Sequence, residues 1–162
     1  MSTTPGDEWV TPPWLLGLAR EVLGSIELDP ASSPEAQSEV LAERYLTREE
    51  DALADEHVWS GKVWLNPPYS RGLVQQFTQR LVSSSRVTEA LCLTNAAVGS
   101  AWWHELVERS SSVALLRRRV RFLDPGTGLP WASPRQGQSL CYLGGAVHQF
   151  RRVLGPVATV LS

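Results

Sequence analysis

The chain has 162 residues, 43% of them hydrophobic and 20% charged, which excludes a disordered or fibrous protein and fits one domain over residues 1–162. No apolar run approaches the roughly 20 residues that span a bilayer, and residues 1–10 lack the basic flank and apolar stretch of a secretory signal. A formal net charge of −2 argues, averaged over the whole chain, against a generic nucleic-acid coat.

Residues 1–8 are polar and read as a loose N-terminus. Pro12-Pro13 opens a helix through Trp14, Leu15, Leu16 and Leu18 to Leu23, stopped by Gly24. Ile26-Glu27-Leu28-Asp29 predicts a short strand ending on an acid and Pro30. Ser32 or Ser33 caps a helix over residues 35–43, with Pro34 at its first position. Val63-Trp64-Leu65 is a strand closing on Asn66-Pro67-Pro68-Tyr69. Leu73, Val74, Phe77, Leu81 and Val82 then recur at helical spacing over residues 71–84.

Residues 90–93 form a buried strand, and residues 100–109, with Trp102, Trp103, Leu106 and Val107, the next helix. Residues 113–116, 120–122, 140–143 and 157–160 read as strands, with an irregular, turn-rich loop over 124–139. Strands alternating with helices, then a strand-rich end, predict an α/β fold: a mostly parallel sheet flanked by helices, with antiparallel pairing among the C-terminal strands. Cys92 and Cys141 sit inside apolar segments, which suits buried thiols in a reducing, cytoplasmic setting rather than a disulfide. His57, His104 and His148 lie far apart without companion ligands, so no metal site is expected.

The average charge hides an asymmetry. Residues 1–108 hold 16 acidic against 7 basic residues, whereas residues 109–162 hold 8 arginines against the single Asp124. Seven of those arginines lie within residues 117–152. In Arg117-Arg118-Arg119-Val120-Arg121, a strand would put Arg117, Arg119 and Arg121 on one side. Such an edge is either a phosphate clamp or a charged strand edge that resists aggregation; the basic balance of this end favours the clamp.

Asn66-Pro67-Pro68-Tyr69 carries the most chemistry. Directly after a strand, it lies at the carboxyl edge of the sheet, where open α/β folds build their sites. Paired prolines fix the backbone and remove two donors, leaving carbonyls as acceptors. Asn66 and the Pro67 carbonyl are then able to accept from one exocyclic amine, while Tyr69 offers a face for a planar base. Two acceptors would draw a conjugated, weakly nucleophilic amine towards tetrahedral geometry, which is positioning rather than strong-base catalysis. The residues alone leave a second reading open: a proline turn with Tyr69 as a partly buried anchor. Asp29 and Asp51 likewise read either as ligand contacts or as helix caps.

On these residues the chain resembles the phage-type DNA N-6-adenine methyltransferases. The resemblance runs through Trp9-Val10-Thr11-Pro12, Leu28-Asp29-Pro30-Ala31, Tyr45-Leu46-Thr47, Asp51-Ala52-Leu53 and Asn66-Pro67-Pro68-Tyr69, and more loosely through Trp102-Trp103 and Arg119-Val120-Arg121-Phe122. It implies a Rossmann-like, S-adenosylmethionine-dependent enzyme that methylates the 6-amino group of adenine in DNA, with the target base flipped out. By resemblance, Asn66, Pro67, Pro68 and Tyr69 form the catalytic base site. Trp9, Thr11 and Pro12 close over the cofactor, Asp29, Pro30 and Ala31 face its methionine part, and Asp51 with Leu53 its adenosine part. Ser70, Arg117, Arg119 and Arg121 are the DNA-contact candidates, Trp64 and Trp131 aromatic contacts, Trp131 in a loop suited to act as a lid. A homodimer is left open.

The chain departs from methyltransferase habit in two ways. The loop after the first strand, Pro30-Ala31-Ser32-Ser33-Pro34, has no glycine, and only 21 residues separate Asp29 from Asp51. These departures keep a catalytically silent DNA- or cofactor-binding relative as an alternative. An amino methyltransferase acting on RNA or on protein glutamine is another.

Overall fold

The computed structural model describes residues 9–130 and 136–162. Pro13–Leu23 forms helix α1, which Gly24 ends in the left-handed region, at φ 82°, with its N–H on the Arg20 carbonyl. Strand β1 is Leu28–Ser32, α2 Pro34–Val40 and β2 Arg44–Thr47, followed by a 3-10 turn at Arg48–Glu50. Then come β3 (Gly61–Leu65), a 3-10 turn at Ser70–Gly72, α3 (Leu73–Ser83) and β4 (Val87–Asn95). The chain finishes with α4 (Ala101–Arg109), β5 (Ser112–Leu116), β6 (Gln138–Leu143), α5 (Val147–Leu154) and β7 (Ala158–Leu161).

The seven strands make one sheet in the order β2-β1-β3-β4-β6-β5-β7. From β2 to β4 the neighbours are parallel; the pairs β4–β6, β6–β5 and β5–β7 are antiparallel. β5 therefore points the same way as β4, and only β6 and β7 run against the rest. The chain passes from β1 to β2 on one side and then crosses to β3 on the other. That reversal opens a crevice beyond the carboxyl ends of β1 and β3.

Strand alternation divides the core between two faces. Trp64, Leu91 and Leu93 pack on one side with Leu15, Leu16 and Leu23 of α1 and Phe150 and Leu154 of α5. Val63, Leu65, Ala90 and Cys92 pack on the other with Phe77 and Leu81 of α3 and Leu106 of α4. Cys92 and Cys141 are both buried, free and opposite each other in the β4–β6 ladder. Among the described residues no helix is long and apolar enough to cross a membrane.

Several elements differ from expectation. β1 begins two residues later and runs on through Pro30 to Ser32, because a register shift between Asp29 and Ser32 absorbs the buried proline. α2 ends at Val40, where Leu41 turns left-handed at φ 56°. β2 and α5 carry no strong local signal and are not among the expected elements. β6 starts at Gln138, so the last two residues of the loop placed at 124–139 are strand.

The predicted strand at residues 120–122 is absent. Val10 and Pro130 meet Leu123 only through isolated bridges, and the Val120 N–H goes to a side chain, Gln138 Oε1, at 2.9 Å. One buried carboxamide thus takes the place of a ladder partner. With the strand goes the alternation that put Arg117, Arg119 and Arg121 on one side; all three are exposed on an irregular segment after β5.

Phe150 anchors α5. It is fully buried and stacks on Tyr142 of β6, with ring centroids 5.1 Å apart and planes 13° from parallel. Phe150→Ala is expected to cost about 3–5 kcal/mol, as for other large-to-small core changes. Urea unfolding measures this as a lower midpoint with an unchanged slope; a loss below about 1 kcal/mol would mean that α5 is held by something else.

Candidate active site

A cavity of about 650 Å³ opens at the carboxyl edge of the sheet. Its walls come from the ends of all four parallel strands and from the start of β6, which runs the opposite way and so begins at the same edge. The volume lies within the range of small-molecule and cofactor sites.

Asn66, Pro67, Pro68, Tyr69 and Ser70 line it together, directly after β3. Asn66 Nδ2 donates to Thr11 Oγ1 at 3.3 Å, and among the described residues Asn66 Oδ1 has no partner. The acceptor end of this carboxamide is therefore available to a ligand. Tyr69 is 37% exposed, yet its hydroxyl is held: Oη accepts the backbone N–H of Asn95 at 2.7 Å. Its ring also meets Trp102 edge-on at 6.3 Å. Desolvation pushes the phenol well above its ordinary range, against the Asn95 hydrogen bond, so the ring stays neutral. Beyond Ser70, Arg71 sits left-handed at φ 54° and exposed before α3 begins.

Of the residues assigned to the cofactor by resemblance, Trp9, Pro30, Ala31, Asp51 and Leu53 line the cavity. Thr11, Pro12 and Asp29 are buried and do not. Thr11 acts through Asn66. Asp29 is 2% exposed, with Oδ1 taking the Ala31 N–H at 3.2 Å and Oδ2 taking Gln37 Nε2 at 3.1 Å. Gln37 also donates to Ser32 Oγ at 2.6 Å and receives the Ala42 N–H on Oε1 at 2.9 Å. This network fixes the turn from β1 to α2, whose loop contains no glycine. Burial pushes the Asp29 carboxyl up to about 7, against the opposing hydrogen bonds from Ser32, Ala31 and Gln37.

Asp51 stands differently. It is exposed and left-handed at φ 49°, and Oδ1 accepts the Leu53 N–H at 3.3 Å. Among the described residues its second oxygen has no partner. The loop behind it is pinned: Trp59 Nε1 donates to the Ala52 carbonyl at 3.0 Å, and Arg80 donates to the His57 carbonyl at 2.7 Å. A carboxylate fixed at the end of β2 with a free lone pair suits hydroxyl, ammonium or amine donors.

The cavity also takes in residues that the sequence did not assign to the site: Ser33, Ala36, Thr47, Arg48, Asn95 and Gln138. Asn95 and Gln138 lie just beyond the predicted strand limits, at residues 93 and 140, so the signal that would have found them is a strand two residues longer. Trp64 is buried in the core, and Trp131 lies outside the described residues. Trp9 packs against Phe122, another lining residue, with centroids 6.0 Å apart. Among the described residues no group of three or more histidine, cysteine or acidic side chains is placed to hold a metal ion.

No curated protein matches the chain. At the level of families, residues 1–155 of 162 match the DNA N-6-adenine-methyltransferase (Dam) family. The chain belongs to the DNA N-6-adenine-methyltransferase family.

Proposed function

We propose that the chain transfers a methyl group from S-adenosylmethionine to the 6-amino group of an adenine flipped out of DNA. The observation that carries this reading is the unpartnered Asn66 Oδ1, held by Thr11 on the wall of a 650 Å³ cavity at the sheet's crossover point. Asn66 Oδ1 and the Pro67 carbonyl accept the two hydrogens of the amine and orient its lone pair, while Tyr69 supplies a stacking face. The amine gains the methyl group and releases one proton to water, so no strong base is required.

The donor supplies an electrophilic methyl group when bound. The cavity fits it: Ala31, Ala36, Leu53 and Phe77 give apolar wall, and Asp51 gives an open carboxylate oxygen. Asp51 and Leu53 serve the adenosine part, Pro30 and Ala31 the methionine part, and Trp9 closes the mouth with Phe122. Asp29 supports these contacts from beneath instead of making one, and Pro12 starts the helix that carries Thr11 to Asn66. Arg117, Arg119 and Arg121, exposed on the segment that leads into the cavity-lining Phe122, contribute phosphate contacts with Ser70, another lining residue.

Asn66→Ala is expected to lower methyl transfer to adenine-containing DNA by about 10²–10³-fold, as for other missing preorganised partners. S-adenosylmethionine binding and the unfolding midpoint should stay close to wild type; a variant that does not fold would make Asn66 structural. If wild type transfers no methyl group to any adenine-containing DNA, the reading fails. Arg119→Ala should weaken DNA binding and flatten the dependence of log K on log salt by about 0.9 for each phosphate no longer neutralised. An unchanged slope rejects the phosphate role.

Asp29 predicts a pH dependence of stability. Its folded carboxyl titrates near 7 and its unfolded one near 3.8. Between those values the native state keeps a proton that the unfolded state has released, so this group makes stability fall as pH rises from about 4 to 7. Asp29→Asn removes that slope. The difference in urea unfolding free energy between variant and wild type should therefore shift in the variant's favour from pH 4.5 to pH 7.5; a pH-independent difference would show that Asp29 ionises normally.

A further inference from the structure

Asn95 closes β4 directly opposite Gln138 of β6, and both line the cavity. The polarity of this pair is set from outside it. The Val120 backbone N–H can only donate, and it donates to Gln138 Oε1 at 2.9 Å. The Gln138 nitrogen must then be the donor on its other side: Nε2 gives to the Gln136 carbonyl at 2.8 Å and to Asn95 Oδ1 at 3.3 Å. With its oxygen committed to Gln138, Asn95 has its Nδ2 left over. Among the described residues that nitrogen has no partner.

The backbone of Asn95 is fully engaged. Its N–H holds the Tyr69 hydroxyl, and its carbonyl accepts from Ala97 N–H at 2.9 Å and Thr94 Oγ1 at 3.0 Å. The carboxamide nitrogen is therefore a fixed donor on a rigid strand end, tied through one residue to the ring that stacks the base. At the end of the neighbouring strand β3, Asn66 also lines the cavity and offers an acceptor, Oδ1, that has no partner among the described residues. One acceptor and one donor match the amino edge of adenine, which presents the 6-amino hydrogens beside the N1 acceptor.

We propose that Asn95 Nδ2 donates to adenine N1 in the flipped-out state and that Gln138 is the positioning residue that keeps Asn95 in this orientation. The proposal rests on the adenine reading above. It assigns Asn95 to base selection: a base with a proton on the nitrogen beside its amine would meet donor against donor and leave both unpaired.

Asn95→Asp tests it with little change of shape, since the remaining oxygen still accepts from Gln138 while the donor is gone. Methyl transfer is measured with purified protein and S-adenosylmethionine on paired oligonucleotides carrying adenine or 1-deazaadenine, which keeps the amine and lacks N1. On adenine, Asn95→Asp should lower kcat/KM by about 10- to 100-fold, the effect of leaving a buried acceptor without its donor. On 1-deazaadenine the variant should fall within about threefold of wild type, because wild type has no N1 to read. Gln138→Glu, which still accepts from Val120 but can no longer donate, should turn Asn95 over and give the same pattern with Asn95 intact.

Equal losses on the two bases would overturn the proposal and make Asn95 a support for Tyr69. An Asn95→Asp variant as active as wild type on adenine overturns it too. Absence of any transfer by wild type removes the adenine reading itself, a separate outcome that the adenine oligonucleotide alone reveals.

Discussion

The buried carboxamide of Gln138 is the joint on which the active edge depends. It takes the Val120 N–H on one side and reaches Asn95 on the other. An irregular, arginine-bearing segment is thereby attached to the place where the antiparallel strand β6 starts beside the end of β4. A buried side chain with three hydrogen bonds fixes the orientation of each of its partners, and losing its donor or its acceptor is costly. From Asn95 the constraint continues to the Tyr69 hydroxyl, and from Tyr69 along the rigid prolines to Asn66. The site is thus a closed circuit of backbone and carboxamide contacts around an open cavity.

The inserted strand β6 explains why that circuit exists. In a wholly parallel sheet, the edge beyond β4 would be another strand's carboxyl end, carrying a loop out to a helix. Reversing β6 puts a strand's first residue there instead, so Gln138 sits in register with Asn95, and their side chains rather than their backbones join the two strands at this point. Sites on strand ends hold their geometry better than sites on loops.

Much of this was legible in the residues. The helices at 13–23 and 73–83, and the placement of Asn66-Pro67-Pro68-Tyr69 after a strand, follow from apolar spacing and proline chemistry. What was not legible depended on contacts distant in sequence. Val120-Arg121-Phe122 has strand composition, but its N–H is claimed by a side chain 18 residues away, and no local pattern announces that. Arg44–Thr47 is a short edge strand with only Leu46 buried, so no alternation marks it. Asp29 reads as a cofactor contact by resemblance and as a helix cap from its place after a strand; its partners Ala31 and Gln37 become visible only once α2 folds back over β1.

The division of charge now has a physical setting. The acidic part of the chain supplies β1 to β4, and with them Asp51, whose free oxygen faces a cavity that on the proposed reading receives a cationic donor. The arginines at 117–121 follow β5 and precede Phe122, which lines the same cavity. A sulfonium and a polyanion attract opposite surroundings, and a single uniform field would favour one at the expense of the other. On the proposed reading the acidic part of the chain serves the donor and the arginines after β5 serve the DNA, with Arg48 the positive residue among the cavity's own lining. The small net charge is then the sum of an acidic part and a basic part of one chain.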